Sequence, residues 1–125
     1  NRLPANNVEE KQEKLEQVLS ANKYAIYIPL KTAKKCFRVI ELLNLLIKKC
    51  NPNSISDAGV AAEVALAGLR GGCMNALINL SDIDDKTFIN KIQKEVDELI
   101  LRGELLHKKV YKQIISMIKK SNKSK

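Results

Sequence analysis

Hydrophobic residues recur at helical spacing along almost the whole chain, and no segment shows the two-residue alternation that is typical of a half-buried strand. A first helix is predicted to begin near Val8, with Glu9 and Glu10 in the first turn, where the helix dipole favours acids. Pro29 lacks a backbone N–H, so we expect a kink or a break in the helix there. The apolar pattern continues through Cys36, Phe37, Ile40, Leu43, Leu46 and Ile47. It stops at Asn51-Pro52-Asn53, which is a turn signature.

Two further helices are predicted. The second starts after Ser56 or Asp57, either of which can cap its free N–H groups, and runs to about Leu80. The third runs from about Lys86 to Lys120 after the link SDIDDK. Its apolar seam consists of Ile92, Val96, Leu99, Gly103, Leu106 and Val110. The chain has no repeat and no long linker. Residues 1–125 are therefore predicted to form one all-α domain, an antiparallel bundle of long helices with a disordered tail at 119–125.

The predicted second helix is apolar nearly all round, which favours a buried, central position. One of its faces carries Ala61, Ala65, Gly68, Gly72, Asn75 and Asn79. Another carries Val60, Val64, Ala67, Gly71 and Ile78. Glycine inside a helix costs about 0.5–1 kcal/mol relative to alanine, so the first face is expected where a partner helix, a subunit or a ligand comes close. We expect a homodimer or higher homo-oligomer through this small-residue face, and leucine at Gly72 should disrupt it.

The two asparagines that end this face need hydrogen-bond partners, because an unpaired buried amide costs about 1–3 kcal/mol. One interpretation is structural: Asn75 and Asn79 cap a kink or bridge two helices. The other is a small-molecule cleft with one smooth wall and amides that bind a heterocycle or a carboxylate. The residues alone leave both interpretations open.

The charge balance and the apolar content bear on partners. The 125 residues include 45% hydrophobic and 29% charged ones, as in an ordinary soluble globular chain. The most apolar window, Ala58 to Leu80, contains Glu63 and Arg70, which disfavour a membrane span. The net charge of +8 comes from lysines scattered over the helices and from the tail KKSNKSK. This distribution is typical of a solvated surface, and we expect no nucleic-acid partner, although a basic helical nucleic-acid binder remains an alternative.

Metal binding is not indicated. Cys36, Cys50 and Cys73 are odd in number, widely spaced and without a CxxC pair, and His107 is the only histidine. A structural zinc site needs about four closely placed nitrogen or sulfur ligands. Unpaired thiols suit a reducing compartment, so the expected location is the cytoplasm.

The stretch SDAGVAAEVALAGLRGGCMNALINL, Ser56 to Leu80, resembles the cyclodeaminase domain of formiminotransferase-cyclodeaminase and the related bacterial methenyltetrahydrofolate cyclohydrolases. That family has an NPN-type turn, then S-D-A-G/A-V, an alanine- and glycine-rich helix, and an L-N-V-x-I-N-L ending. Here the ending reads MNALINL, with Asn75 and Asn79 in place and Ala76 where valine is usual. Arg2-Leu3-Pro4 and VEEK from Val8 resemble the family's R/K-L-P-K-x-T-x-E-E-K segment, with departures at Ala5 and Asn7. Pro29-Leu30 matches a V-P-L motif.

The resemblance implies a folate one-carbon enzyme. In one branch a formimino group on tetrahydrofolate closes a ring and loses ammonia, and in the other water opens the methenyl ring to the formyl form. The substrate carbon is already electrophilic, so the protein must supply orientation and a proton carrier, and no metal is implied. Family members carry a helical half upstream of the R-L-P segment, with a glycine-rich turn and an aspartate assigned to cyclodeaminase catalysis. Neither motif occurs in residues 1–125, so we expect the chain to be the C-terminal portion.

Four residues are the candidates for contact with the folate: Asp57, Arg70, Asn75 and Asn79. Asp57 is also the candidate proton carrier, and its alternative role is an N-cap. Arg70 could bind an anionic tail or form an ion pair with another helix.

His107 lies beside the apolar seam of the third helix, where it is a candidate base or, as the alternative, a residue at the edge of the core. The tyrosines Tyr24, Tyr27 and Tyr111 could stack on a pteridine or serve as half-buried packing groups. A non-catalytic helical assembly module of the same family is the alternative to an enzyme.

Overall fold

A computed structural model describes residues 7–123, and their regular structure is entirely helical. The elements are α1 (Val8–Leu46), 3-10 turns at Ile47–Lys49 and Pro52–Ser54, α2 (Ile55–Ile78), a 3-10 turn at Asn79–Asp82, and α3 (Lys86–Lys123). The predicted all-α bundle is confirmed. Arg2-Leu3-Pro4 and Ala5 of the N-terminal motif lie outside the described residues. Within residues 7–123, no helix is both long enough and apolar enough to cross a membrane.

The first helix runs without interruption past its proline. The side chain of Asn7 caps it by accepting from the backbone N–H of Glu10 at 2.8 Å. α1 contains 39 residues with Pro29 inside it, which corresponds to a length of about 58 Å. Of the expected kink or break, the break is wrong, because the helix continues despite the missing N–H.

The boundaries of the other helices differ from prediction at three points. α2 begins at Ile55 after Ser54, so Ser56 and Asp57 lie inside its first turn and neither is the N-cap. It ends at Ile78, and Asn79 and Leu80 belong to the following 3-10 turn. α3 extends to Lys123, so residues 119–123, which were expected in a disordered tail, are helical. Residues 124 and 125 lie outside the described part of the chain.

Helix α2 lies antiparallel to both α1 and α3. Along α1 its contacts run from Asn79 at Ala25 to Gly68 at Cys36, and along α3 from Gly59 at Ile114 to Leu69 at Gly103. The predicted seam of α3 is confirmed, since Ile92, Val96, Leu99, Gly103 and Val110 are buried. On α1 the buried positions are Ile26, Leu30, Ala33, Phe37 and Ile40, while residues 8–21 are exposed. The core therefore lies between the three helices and does not extend to residues 8–21 of α1.

The small-residue face of α2 packs against α1 of the same chain. A Cβ at Gly72 would lie 2.6 Å from the carbonyl oxygen of Pro29, and one at Gly68 would lie 2.5 Å from Sγ of Cys36. Both distances are shorter than real Cβ contacts. At Gly72 the neighbouring atom belongs to the backbone of α1, so glycine is required for the two backbones to approach this closely, whereas at Gly68 the neighbour is a side chain. The expected dimer contact through this face is wrong, because α1 already occupies it.

A neighbouring face of α2 is not covered by α1 or α3. Val60, Val64, Met74 and Ile78 are 63–71% exposed, and a Cβ at Gly71 would have no neighbour within 4 Å. α2 contacts both other helices, as a central helix should, but it is not surrounded. Its apolar outer face reaches solvent.

Candidate functional site

A groove lies between α1 and α2 beside Pro29. We call it the α1–α2 groove, and its lining residues are Ala25, Ile28, Pro29, Thr32, Gly72, Asn75, Ile78 and Asn79. Its volume is about 500 Å³, and it is open to solvent. Gly72 allows the two helices to approach closely, because it has no side chain. Pro29, Ile28 and Ile78 form apolar walls. The sequence predicts Asn75 and Asn79 on one face, and the structure brings both to this groove.

Asn79 has a structural role in the groove. Its Nδ2 donates to the carbonyl oxygen of Ala25 at 3.1 Å. In an uninterrupted helix this carbonyl accepts from the N–H four residues later, and that residue is Pro29, which has none. One turn further along, Nδ2 of Asn22 donates to the carbonyl oxygen of Asp82 at 3.3 Å. The two amides bridge α1 to the 3-10 turn Asn79–Asp82 that follows α2, so Asn79 has the helix-bridging contact of the structural interpretation.

Asn75 is the asparagine of the groove whose side-chain amide is available for hydrogen bonding. Its side chain is exposed and has no hydrogen-bond partner among residues 7–123. The nearby hydroxyl of Thr32 is occupied, since it donates to the carbonyl oxygen of Ile28 at 3.3 Å. An amide offers two N–H donors and one acceptor oxygen. Asn75 can therefore hydrogen-bond a ligand without breaking a contact within the chain.

Arg70 and Asp57 do not join this groove. The guanidinium of Arg70 donates from Nε and one Nη to the same carboxylate oxygen of Glu104, at 3.0 and 2.8 Å. Arg70 therefore links α2 to α3, which is the ion-pair role given as the alternative to binding an anionic tail. Asp57 lies exposed in the first turn of α2, about 27 Å along the helix from Asn75. The four predicted contact residues thus divide between one groove, one interhelical ion pair and one helix end.

His107 and the three tyrosines lie outside the α1–α2 groove. The Nε2 of His107 lies 2.5 Å from a carboxylate oxygen of Glu63, and its side chain is 12% exposed. The ring of Tyr111 stacks on His107, with centroids 6.0 Å apart. Tyr27 packs edge-on against Phe88, and Tyr24 is exposed. These contacts favour packing roles, and neither His107 nor any tyrosine lines the α1–α2 groove.

A second, more apolar groove lies between α2 and α3. This α2–α3 groove has a volume of about 310 Å³ and is lined by Ser56, Gly59, Val60, Glu63, Val64, Tyr111, Ile114, Ile115 and Ile118. Its carboxylate, from Glu63, is paired with His107.

Among the described residues, those that line the α1–α2 groove include no ionisable side chain. The nearby thiol of Cys73 is buried in the core, and burial raises the pKa of that thiol. Among residues 7–123, no three His, Cys, Asp or Glu side chains are grouped so that they could hold a metal ion. The groove can therefore bind and orient a molecule through its shape and its side-chain amides.

Sequence reasoning missed the contribution of α1 to this groove. Ile28 and Thr32 face the asparagines, and neither residue type marks a site. The available signal was Pro29, because a proline inside a helix leaves the carbonyl four residues earlier in need of a donor. The Asn79 amide meets that need.

These features define a class of protein, an all-α bundle with an open, amide-lined groove between two helices. Residues 1–98 match the family model described as formiminotransferase-cyclodeaminase. This match covers well over half of the chain. The chain therefore belongs to the formiminotransferase-cyclodeaminase family.

Individual relatives agree with this assignment. A protein named methenyltetrahydrofolate cyclohydrolase from Methylorubrum extorquens is 35% identical over 116 residues, which is 93% of this chain and 56% of that protein. The formimidoyltransferase-cyclodeaminases of Rattus norvegicus and Mus musculus are each 30% identical over 99 residues, or 79% of this chain and 18% of theirs. The chain thus spans little more than half of the bacterial relative and under a fifth of the mammalian ones.

Proposed function

We propose that the protein containing this chain acts on a tetrahydrofolate one-carbon derivative, as a methenyltetrahydrofolate cyclohydrolase or a formiminotetrahydrofolate cyclodeaminase. The observation that carries this proposal is the 35% identity to a methenyltetrahydrofolate cyclohydrolase over 93% of the chain. We expect the reaction to occur in the cytoplasm, where the free thiols of Cys36, Cys50 and Cys73 stay reduced.

The α1–α2 groove is the proposed contact surface for the folate. Ile28, Pro29 and Ile78 offer apolar walls against which a flat heterocycle can pack. The amide of Asn75 offers two donors and an acceptor to the polar edge of such a ring, and the oxygen of Asn79 offers a further acceptor. This combination of apolar walls and few directed polar groups is typical of small-molecule sites.

The chemistry requires little more than orientation and proton transfer. In the cyclohydrolase reaction the oxygen of water bonds to the methenyl carbon and loses a proton. One carbon–nitrogen bond of the ring then breaks as the added hydroxyl loses its remaining proton and becomes the formyl carbonyl. The released nitrogen gains a proton, so one proton is released in total. Fixing the ring with respect to the attacking water removes part of the entropic barrier. The groove residues serve that role, and the proton carrier lies outside the eight residues that line the groove.

The second candidate function is a non-catalytic helical module of the same family. The absence of an ionisable group from the described lining of the α1–α2 groove favours it. In that case the chain binds a folate, or assembles with other chains, without turnover.

The test follows the methenyl chromophore of methenyltetrahydrofolate near neutral pH with and without the purified chain, and separately follows ring closure of formiminotetrahydrofolate. Asn75→Ala is the diagnostic variant. The matched control is Asn90→Ala, another exposed asparagine, on α3 and outside the groove. Loss of one hydrogen bond of about 1–1.5 kcal/mol should lower the catalysed rate about tenfold in Asn75→Ala and leave Asn90→Ala unchanged.

Each other result has a defined meaning. If Asn75→Ala leaves the catalysed rate unchanged, the folate does not bind through the α1–α2 groove. No acceleration of either reaction, together with folate binding that Asn75→Ala weakens, would support the non-catalytic module.

A further inference from the structure

The hydroxyl group of Thr32 can only accept a hydrogen bond from a molecule in the α1–α2 groove. Its single hydrogen is donated to the carbonyl oxygen of Ile28, one turn earlier in α1, at 3.3 Å. A threonine hydroxyl has one hydrogen and two lone pairs, so the oxygen keeps its capacity to accept while this bond is formed. Thr32 therefore presents an acceptor, and no donor, to the groove that it lines.

The orientation of the Asn79 amide is fixed by α1. Because the carbonyl oxygen of Ala25 can only accept, the amide must turn its nitrogen towards that oxygen, and Nδ2 lies 3.1 Å from it. The amide oxygen of Asn79 is then the acceptor that this residue offers to the groove. No hydrogen bond among residues 7–123 constrains the amide of Asn75 in this way, so it can rotate either to donate or to accept.

The three polar side chains follow one another along the groove. Asn79 is bonded to Ala25, and Thr32 lies seven residues further along α1, which corresponds to about 10 Å. Asn75 lies one turn before Asn79 on α2, which runs antiparallel to α1, so its amide lies between the other two groups. The groove thus presents a fixed acceptor at each end and an adjustable amide between them.

This arrangement suits a neutral heterocycle and not a carboxylate. The described residues that line the groove include no lysine, arginine or histidine. A carboxylate that leaves water needs a positive partner or several donors, and here it would face the fixed oxygens of Thr32 and Asn79. A neutral ring with N–H groups can instead donate to both oxygens, and its own acceptors can receive the N–H groups of Asn75. The hydrogen-bonding pattern therefore selects the heterocycle of the two ligand types that the asparagines left open.

We propose that the α1–α2 groove binds the pterin end of a folate and not its glutamate end, with Thr32 as a residue that determines this specificity. The inference rests on the proposed function, which supplies the folate as the ligand. A tetrahydropterin carries N–H groups on both of its rings, so it can donate at both ends of the groove, to Thr32 and to Asn79. Its carbonyl oxygen accepts from Asn75, and its flat face packs against Pro29 and Ile78.

Calorimetric titration of the purified chain with the two halves of the ligand tests this assignment. The probes are 6-methyltetrahydropterin, handled without oxygen, and p-aminobenzoylglutamate, and the pterin should bind at least about tenfold more tightly. Thr32→Val keeps the shape of the side chain and removes its oxygen, so it should raise the dissociation constant of the pterin about fivefold to tenfold. Thr32→Ser retains the oxygen and should bind as the parent does. The matched control is Thr87→Val, at an exposed threonine on α3 outside the groove, and it should change nothing.

The outcomes separate this inference from the proposed function. Equal affinities for the two halves, or an unchanged pterin affinity in Thr32→Val, would overturn the assignment of the pterin end. The proposed function would then still stand if the chain binds methenyltetrahydrofolate. If neither half nor methenyltetrahydrofolate binds, the inference and the folate site in this groove are both overturned.

Discussion

The side-chain amide of Asn79 donates to the carbonyl oxygen of Ala25 across 3.1 Å, and this carbonyl is the one that Pro29 leaves without a helical partner. α1 continues through the proline, and the missing donor to Ala25 comes from Asn79, 54 positions after Ala25 in the chain. The same amide forms part of the α1–α2 groove. The hydrogen bond thus links the continuity of α1, the packing of α2 and the shape of the candidate site.

Replacement of Asn79 should be costly only while Pro29 is present. Asn79→Ala is expected to lower the free energy of unfolding by about 0.5–1.5 kcal/mol, the net contribution of one hydrogen bond at a site that water can reach. In a Pro29→Ala background residue 29 supplies its own N–H to Ala25, so the same substitution should cost close to nothing. Urea unfolding of the parent chain, Asn79→Ala, Pro29→Ala and the double variant measures the coupling between residues 29 and 79. Equal costs in both backgrounds would show that Asn79 stabilises the chain by another route.

The neighbouring glycines Gly71 and Gly72 should respond in opposite directions to alanine. At position 72 the new Cβ would lie 2.6 Å from the carbonyl oxygen of Pro29, so Gly72→Ala should destabilise the fold by about 1–3 kcal/mol through overpacking. At position 71 the space is open, so Gly71→Ala should stabilise the helix by about 0.5–1 kcal/mol. Thermal unfolding followed by circular dichroism compares the two. A stabilising Gly72→Ala would contradict the close approach of α1 and α2.

The Arg70–Glu104 ion pair should contribute little to stability. Both side chains are about half exposed, so Arg70→Gln and Glu104→Gln should each lower the free energy of unfolding by no more than about 1 kcal/mol. Their coupling should fall as salt is added. A double-mutant cycle at low and high ionic strength measures both effects. Weaker folate binding in Arg70→Gln but not in Glu104→Gln would instead indicate direct contact between Arg70 and the ligand.

Cys73 should make the fold sensitive to alkaline pH. Burial raises the pKa of its thiol, so the native chain keeps this proton at a pH where the unfolded chain has lost it. The native state then binds more protons, and stability falls as the pH rises above about 8.5, where free thiols ionise. Below that pH both states are protonated and Cys73 adds no pH dependence.

Comparison with Cys73→Ala isolates this effect from other groups that titrate at high pH. The variant should be less stable at neutral pH, because the sulfur leaves a small cavity in the core, but its stability should decline less steeply with rising pH. Urea unfolding between pH 7 and 10 gives both curves. Parallel curves would exclude Cys73 as the source of the pH dependence.

Much of the fold followed from periodicity alone. The seam from Ile92 to Val110 and the shared face of Asn75 and Asn79 were both predicted, because a position on a helix follows directly from its number. The start of α2 was harder to predict, because Ser54, Ser56 and Asp57 all have side chains suited to an N-cap. The helix begins after Ser54, whose side chain forms no capping hydrogen bond. Within the candidate site, periodicity identified the amides but not Ile28 and Thr32, which come from another helix.

The sequence by itself determined the helices, their apolar faces and, through the motif from Ser56 to Leu80, the family. Each of these is local information, carried by the order of residues within one segment. Only the tertiary structure decided which partner each face of α2 received. Gly68 and Gly72 pack against α1, and Arg70 pairs with a residue of α3. The face that carries Val60 and Ile78 remains exposed. All these faces have a spacing suited to close packing. The reason is physical: periodicity defines directions around one helix axis, whereas partners depend on how the turns between helices bring those axes together.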